Sequence, residues 1–502
     1  MIAINWINSH KWEVILLLVV VMIGGFLRFY NVGDYMFFGT DEGNHAFMVR
    51  SIARDGDVQL LGPSIAPGDK AFSLGPFYYY LLVPAYWLTG NDPAAGAFMV
   101  ALFSFLSVGL MYYIMRIWYG PAAALSSTFL YSVSWLMVYY GRWIWNPNFM
   151  SFFILALIIC LHYVIKARDG NKQWWLYGAA FFTATATQLH GTALFILPIF
   201  LLLFFLYFRP KIRWWQYLIA LTIILITYLP WLIYDLRNDF ENIRGVFSLV
   251  TGGDSEALGW VGVIKLTFNK FYDFYHLSLM QSKIDIVFLI TFASAVAVAI
   301  YNLINFLKKK TKDISAIVIL LWLFVPFVVF FFYRDYTPPH YFCVVFPLSF
   351  MLVGGLIHFL SRIKWLRIIA LVLPLLLGSV ALFHSVTLLS DLHLDGTRSS
   401  TYEVTLGEMR QVVDYIIEQE ADKRLDFISV PANLLGRGYD YLLDQESFTI
   451  VSTDEEFKYL AVYGNDPDID SLIQNDELVN WQRYGQAIIL KIKKHPDTED
   501  VL

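Results

Sequence analysis

Apolar residues in this chain come in blocks of roughly 18–25 positions with almost no charge, the length that crosses about 30 Å of hydrocarbon. Soluble core helices seldom run so long without a polar stripe, because one side normally meets water. Read between charged or Gly/Pro breaks, the pattern predicts about eleven spans: 12–30, 94–118, 121–140, 148–166, 174–190, 192–208, 214–234, 284–307, 314–333, 338–360 and 366–390. Spans five and six meet at His190-Gly191. Two further segments read as helices lying at the membrane interface. Residues 44–56 place Ala46, Val49, Ile52 and Ala53 on one stripe, as an interfacial helix does. Residues 76–90 (PFYYYLLVPAYWLTG) are too short and too rich in tyrosine to span alone, and such rings prefer the headgroup level. Beyond residue 390 the pattern changes. Met409, Val412, Val413, Ile416 and Ile417 form one face of a helix at about 405–421, and Gln486 to Ile492 reads as a strand. The expected organisation is a transmembrane domain over 1–390 and a soluble α/β domain over 391–502.

Composition strengthens the membrane reading. The 502 residues are 58% hydrophobic with a mean hydropathy of +0.55, against roughly 45–50% apolar residues in ordinary soluble domains. The net charge of −5 is strongly segregated: residues 391–502 hold 23 Asp/Glu against 10 Lys/Arg. With the N-terminus inside, the cytoplasmic connections collect 15 Lys/Arg, whereas the short connections opposite hold only Arg142 and Arg334. That bias sets the orientation and puts three large segments outside: loops 31–93 and 235–283, and the acidic tail. Cys160 and Cys343 both sit in apolar runs and read as small buried hydrophobes. The first apolar block ends in Arg28 without a small-residue cleavage site, so no removable signal peptide is expected.

Candidate chemistry gathers at the outer face. Asp41 and Glu42 follow the first span within Thr40-Asp41-Glu42-Gly43-Asn44-His45. Adjacent carboxylates in an aromatic setting suit a general base, and a helix N-cap is the plainer alternative. Arg142, in Gly141 to Asn148 between spans three and four, is a natural partner for a phosphate; interfacial snorkelling is the alternative. Gln188 and His190 could bind a sugar or phosphate oxygen, or a neighbouring helix. Arg334, His340 and Tyr341 cluster between spans nine and ten, where an Arg-Asp loop cap is the competing reading. A fifth group, Asp235 to Glu241, reads as structural. Asp41 and His45 alone would make a poor metal site, so no metal is expected, and no nucleotide or zinc-protease motif is present. A carboxylate base with arginines and histidines points to transfer of a group from a phosphate-bearing lipid.

Several stretches carry a family resemblance. RFYNVGDYMFFGTDEGNH, GPFYYYLLVPAYWLTG, YGRWIWNPN, ATQLHGTALFILP, DLRNDFENIRGV and PPHYFCVVFPL are similar to motifs of the GT-C membrane glycosyltransferases, the superfamily of protein O-mannosyltransferases and aminoarabinose transferases. The resemblance covers about residues 12–360. It implies a GT-C fold and an inverting transferase that moves a sugar from a polyprenyl-phosphate donor to a protein, lipid or glycan acceptor, outside the membrane of a bacterial cell. It further implies Asp41 as base, with Glu42 assisting, and Arg142, Arg334 and His340 at the donor phosphate. His190, with His45, Gln188 and Tyr341, would line the sugar and acceptor pocket. A lipid flippase or glycan transporter is the competing class. It more often shows paired repeats and broken helices.

Overall fold

The computed structural model describes residues 9–65, 72–168, 170–251, 260–280, 313–333, 337–395, 404–420, 423–451, 455–464, 467–473 and 476–494, with short pieces between 292 and 304. Among them, seven helices are long and apolar enough to cross a membrane: Lys11–Phe29, Ala94–Tyr119, Asn146–Lys166, Gly191–Phe208, Ile314–Phe332, Pro339–Arg362 and Lys364–His393. An eighth is the pair Trp214–Thr227 and Leu229–Arg237, bent by 63°. Pro230 falls in the first turn of the second piece; its missing N–H and ring geometry break the helical ladder there. The expected fifth span is a helix, Lys172–Leu189, whose threonines lower its hydropathy. The expected third is interrupted at Ser134, which divides Pro121–Val133 from Trp135–Tyr139. Most of the expected span 284–307 lies outside the described residues.

The segment expected as a loop over 235–283 is largely helical. Glu241–Thr251 and Trp260–Met280 are both helices. The second buries Val263, Thr267, Lys270, Phe274 and Ser278, a stripe with helical spacing. The Ser278 carbonyl accepts from Ser134 Oγ at 2.7 Å, so this helix packs into the bundle at the interruption of the third span. Lys270 and Asp273 depressed its hydropathy and disguised it.

The first loop is equally ordered. It contains the helix Thr40–Arg50, the two-stranded hairpin β1 (Ser64–Ile65) and β2 (Phe72–Ser73), and the helix Phe77–Leu88. Tyr78, Leu82 and Tyr86 of that last helix are fully buried, so it is enclosed by protein more than by headgroups. Trp231 donates to the Ser73 carbonyl at 2.8 Å and Asn242 Oδ1 accepts from Ser73 N at 2.6 Å. The hairpin is thereby tied to the bent helix and its successor.

The C-terminal residues form a five-stranded sheet of order β4-β3-β5-β7-β6, from Arg424–Val430 (β3), Thr449–Ile450 (β4), Phe457–Tyr463 (β5), Glu477–Tyr484 (β6) and Ala487–Lys493 (β7). β3 runs parallel to β4 and β5, and β7 antiparallel to β5 and β6. The helix Leu406–Gln419 opens with a capping box between Thr405 and Glu408, and Ala432–Gln445 lies between β3 and β4. One continuous buried cluster runs from the membrane bundle through Met36, Tyr78 and Tyr86 into Leu406, Met409 and Tyr441. The sheet domain is fused to the first loop by packing.

Candidate active site

Thr40–Arg50, hereafter the acid helix, separates the two carboxylates. Glu42 is buried and its Oε2 accepts from Gly39 N at 3.0 Å, closing the first turn. Asp41, by contrast, is exposed. Loss of hydration from the surrounding protein raises its carboxyl above the ordinary aspartate value, which makes it a stronger proton acceptor than an ordinary aspartate. Below it His45 Nδ1 meets Tyr79 OH at 3.3 Å, and its ring stands edge-on to Tyr78. Burial lowers His45 to about 4, so it is neutral at physiological pH. Burial, and then the charge of Asp41, raise the Tyr79 phenol and keep it protonated. Thr40 Oγ1 and Tyr78 OH are buried without a hydrogen-bond partner among the described residues, which is uncommon in a native interior.

Arg142, expected at the donor phosphate, is held here by backbone carbonyls. Its guanidinium donates to the carbonyls of Leu27 at 2.7 Å, Arg28 at 3.1 Å and Tyr30 at 2.7 Å. These are the carbonyls at the end of the first span that have no partner within the helix. Arg142 caps that helix and sets the direction in which the first loop leaves the membrane. Burial lowers it to about 10, still protonated at neutral pH. Its neighbour Arg28 is fully buried and donates to Ser104 Oγ and to the carbonyls of Ser132, Gly24 and Tyr131.

Past Arg142 the turn becomes an aromatic wall. Phe37 meets Trp143 at 5.9 Å, Trp143 stacks on Trp145 at 4.9 Å, and Trp145 meets His340 at 4.4 Å. His340 lies 5.6 Å from His190, and Tyr341 lies 5.4 Å from His190. The expected residues His190, His340 and Tyr341 therefore converge although 150 positions separate them in the chain. Arg334 lies outside the described residues. Gln188 turns away from this group: its Nε2 donates to the Ala184 and Thr227 carbonyls at 3.2 and 3.1 Å, joining the fifth span to the bend. An apolar groove of about 320 Å³ opens beside that bend, lined in part by Leu74, Thr187, Phe195, Tyr228, Trp231 and Phe247.

Lys270, to which the sequence pattern assigns no role, approaches this cluster through Tyr333. Its Nζ donates to the Tyr333 carbonyl at 2.6 Å and lies 5.0 Å from the Tyr333 ring. That ring is 5.7 Å from Tyr341. The buried stripe Val263, Thr267, Lys270, Phe274 was the signal that could have found it. Among the described residues no three His, Cys, Asp or Glu side chains assemble as a metal site.

Comparison with known proteins agrees with this architecture. Residues 70–234, a third of the chain, match the family described as dolichyl-phosphate-mannose-protein mannosyltransferase. No curated protein matches the chain by sequence. The structure is similar to ArnT from Cupriavidus metallidurans bound to undecaprenyl phosphate, with TM-score 0.60 and 14% identity over 96% of this chain and 98% of that one. The apo state of the same protein gives TM-score 0.59 over the same shares at the same identity. The oligosaccharyltransferase of Archaeoglobus fulgidus aligns over 90% of this chain and 60% of its own, with TM-score 0.49 and 14% identity. The chain is a multi-pass membrane protein with the GT-C glycosyltransferase fold. Within that class it resembles the protein O-mannosyltransferase and aminoarabinose-transferase superfamily.

Proposed function

We propose that this protein is an inverting glycosyltransferase that moves a sugar from a polyprenyl-phosphate donor to an acceptor hydroxyl, with Asp41 as general base. The observation that carries the reading is the division of the acid pair: Glu42 closes the helix, while Asp41 is exposed with a raised carboxyl. In the reaction the Asp41 carboxylate takes the acceptor O–H proton. The acceptor oxygen then forms a bond to the anomeric carbon from the face opposite the phosphate. The anomeric C–O bond breaks, its electron pair leaves on the lipid phosphate, and the configuration inverts. A base on one side and charge stabilisation on the other are what this displacement requires.

At the leaving side, Lys270 supplies the charge, and His340, His190 and Tyr341 supply polar contacts. Arg334, which follows Tyr333 in the chain, remains a candidate for the same phosphate. Arg142 supports the site from behind by holding the end of the first span. The similarity to a protein solved with undecaprenyl phosphate supports the donor class, and the apolar groove beside the bend suits part of a prenyl chain. The distribution of Lys and Arg supports a cytoplasmic N-terminus and an extracytoplasmic site and C-terminal domain, and the similarity to a bacterial membrane protein supports a bacterial inner membrane.

The test is turnover of a panel of labelled polyprenyl-phosphate sugars by membranes containing the protein or its Asp41→Asn variant. Wild type should release polyprenyl phosphate and label an acceptor. Asp41→Asn should lose about 10²–10⁴-fold. A variant that turns over at the wild-type rate would refute the base assignment.

A further inference from the structure

The C-terminal domain reaches both flanks of Asp41 by backbone contact. Before the acid, Phe38 N donates to the Val404 carbonyl at 3.2 Å, and Leu406 N to the Met36 carbonyl at 2.9 Å. Around it, from Phe38 to Gly43, the acid helix and its start cross Ala432–Gln445 so closely that glycine is needed on each side. A Cβ on Gly438 would sit 2.7 Å from the Phe38 carbonyl oxygen and 3.1 Å from that of Gly39. One on Gly39 would lie 2.6 Å from the Leu434 carbonyl oxygen, and one on Gly43 would run into the Arg437 carbonyl group. Ordinary contacts begin near 3.4 Å, so these helices touch main chain to main chain.

Side chains lock the crossing. Arg437 Nε donates to Asn44 Oδ1 at 3.0 Å, and its guanidinium lies 4.5 Å over the Phe47 ring. Tyr441 packs edge-on against Phe38 and Phe47 and supports the Arg50 guanidinium at 4.7 Å. Arg50 in turn pairs with Asp444 at 2.5 Å. The base of the second span is held as well: Tyr441 OH and Gln445 Nε2 both donate to the Asn91 carbonyl, at 2.6 and 2.8 Å. A tethered recognition module would touch its catalytic partner through a smaller and more polar interface. Here Phe38, Gly39, Gly43, Asn44 and Phe47 are all gripped, and Asp41 is left exposed.

From these contacts we infer that the C-terminal domain is a brace that positions the acid helix for catalysis, with Gly438 and Arg437 as positioning residues acting through Asp41. The inference rests on the reading of Asp41 as the base. An error of about 1 Å in the placement of a reacting group costs on the order of 100-fold in rate, so a brace acts on kcat more than on donor affinity.

The experiment compares full-length wild type with Gly438→Ala, Arg437→Ala, Arg437→Lys and the distant control Val479→Ala on the exposed edge strand. It reads kcat and donor KM, the folded fraction, and hydrogen exchange of residues 38–50. Gly438→Ala and Arg437→Ala should lower kcat about 10–100-fold with donor KM within about twofold, while exchange over 38–50 rises. Arg437→Lys should recover part of the loss and Val479→Ala should behave as wild type. The inference is overturned if kcat and exchange are unchanged, or if kcat falls only in step with the folded fraction. Exchange does not depend on the chemistry. If Asp41→Asn turns over normally, the base reading fails, and exchange over 38–50 still decides whether the domain restrains the helix.

Discussion

A carboxylate that accepts a backbone N–H at a helix start is held in place by that bond, and Glu42 accepts from Gly39 in this way. Glu42→Gln keeps the acceptor oxygen, so kcat should stay within a few-fold of wild type, in contrast to Asp41→Asn; steady-state rates compare the two. The raised Asp41 carboxyl also fixes a direction in pH. The base works only when deprotonated, so kcat/KM should fall with decreasing pH, along a limb lying above the ordinary aspartate range. A limb at or below that range would remove Asp41 from the role. Arg142 offers a cleaner separation. Each hydrogen bond from a charged group to a carbonyl contributes about 1.5–3 kcal/mol, and Arg142 makes three such bonds. Arg142→Gln should therefore lower the melting temperature in detergent and leave donor KM unchanged. A large rise in KM without loss of stability would restore the phosphate contact first expected.

At the level of elements, the helix Trp260–Met280, with its one buried stripe, changes the map of the site. Lys270→Met keeps the length of the side chain and removes its charge, so donor KM should rise about tenfold or kcat should fall by a similar factor, measured with the same labelled donor. Unchanged kinetics would leave Lys270 a purely structural cation. The acid helix has its own pH response. Burial lowers His45 from 6.5 to about 4, so the unfolded chain binds the proton first as pH falls. Stability from this group is complete above about 6.5 and declines as pH falls toward 4. Melting curves across that window should show the slope, and His45→Gln should flatten it. Legibility differed among these elements. The long apolar helices were visible because lipid removes the polar face that obscures soluble helices. The helix at 260–280 was not, because Lys270 and Asp273 lie within it and hydropathy averages conceal a buried stripe.

On the scale of the molecule, the acidic tail read from sequence as a separate water-facing unit, whereas a continuous core joins it to the first loop. Its orientation can be read directly. Cys160 and Cys343 are buried, so a single cysteine at the exposed Val479 reports the location of the domain. In intact cells a membrane-impermeant thiol reagent should label Val479→Cys; protection until the cells are opened would reverse the proposed topology. The positions of the long apolar helices, the charge division between membrane body and tail, and the acid pair followed from sequence alone, because they depend on local composition and on the burial of apolar length in lipid. Tertiary structure decided the rest: which carboxylate stays open, that Arg142 faces carbonyls, that Lys270 lies on Tyr333 beside the histidine cluster, and that Gly438 lies against the acid helix. Each of these depends on direction and distance between segments remote in the chain, and no local pattern encodes that.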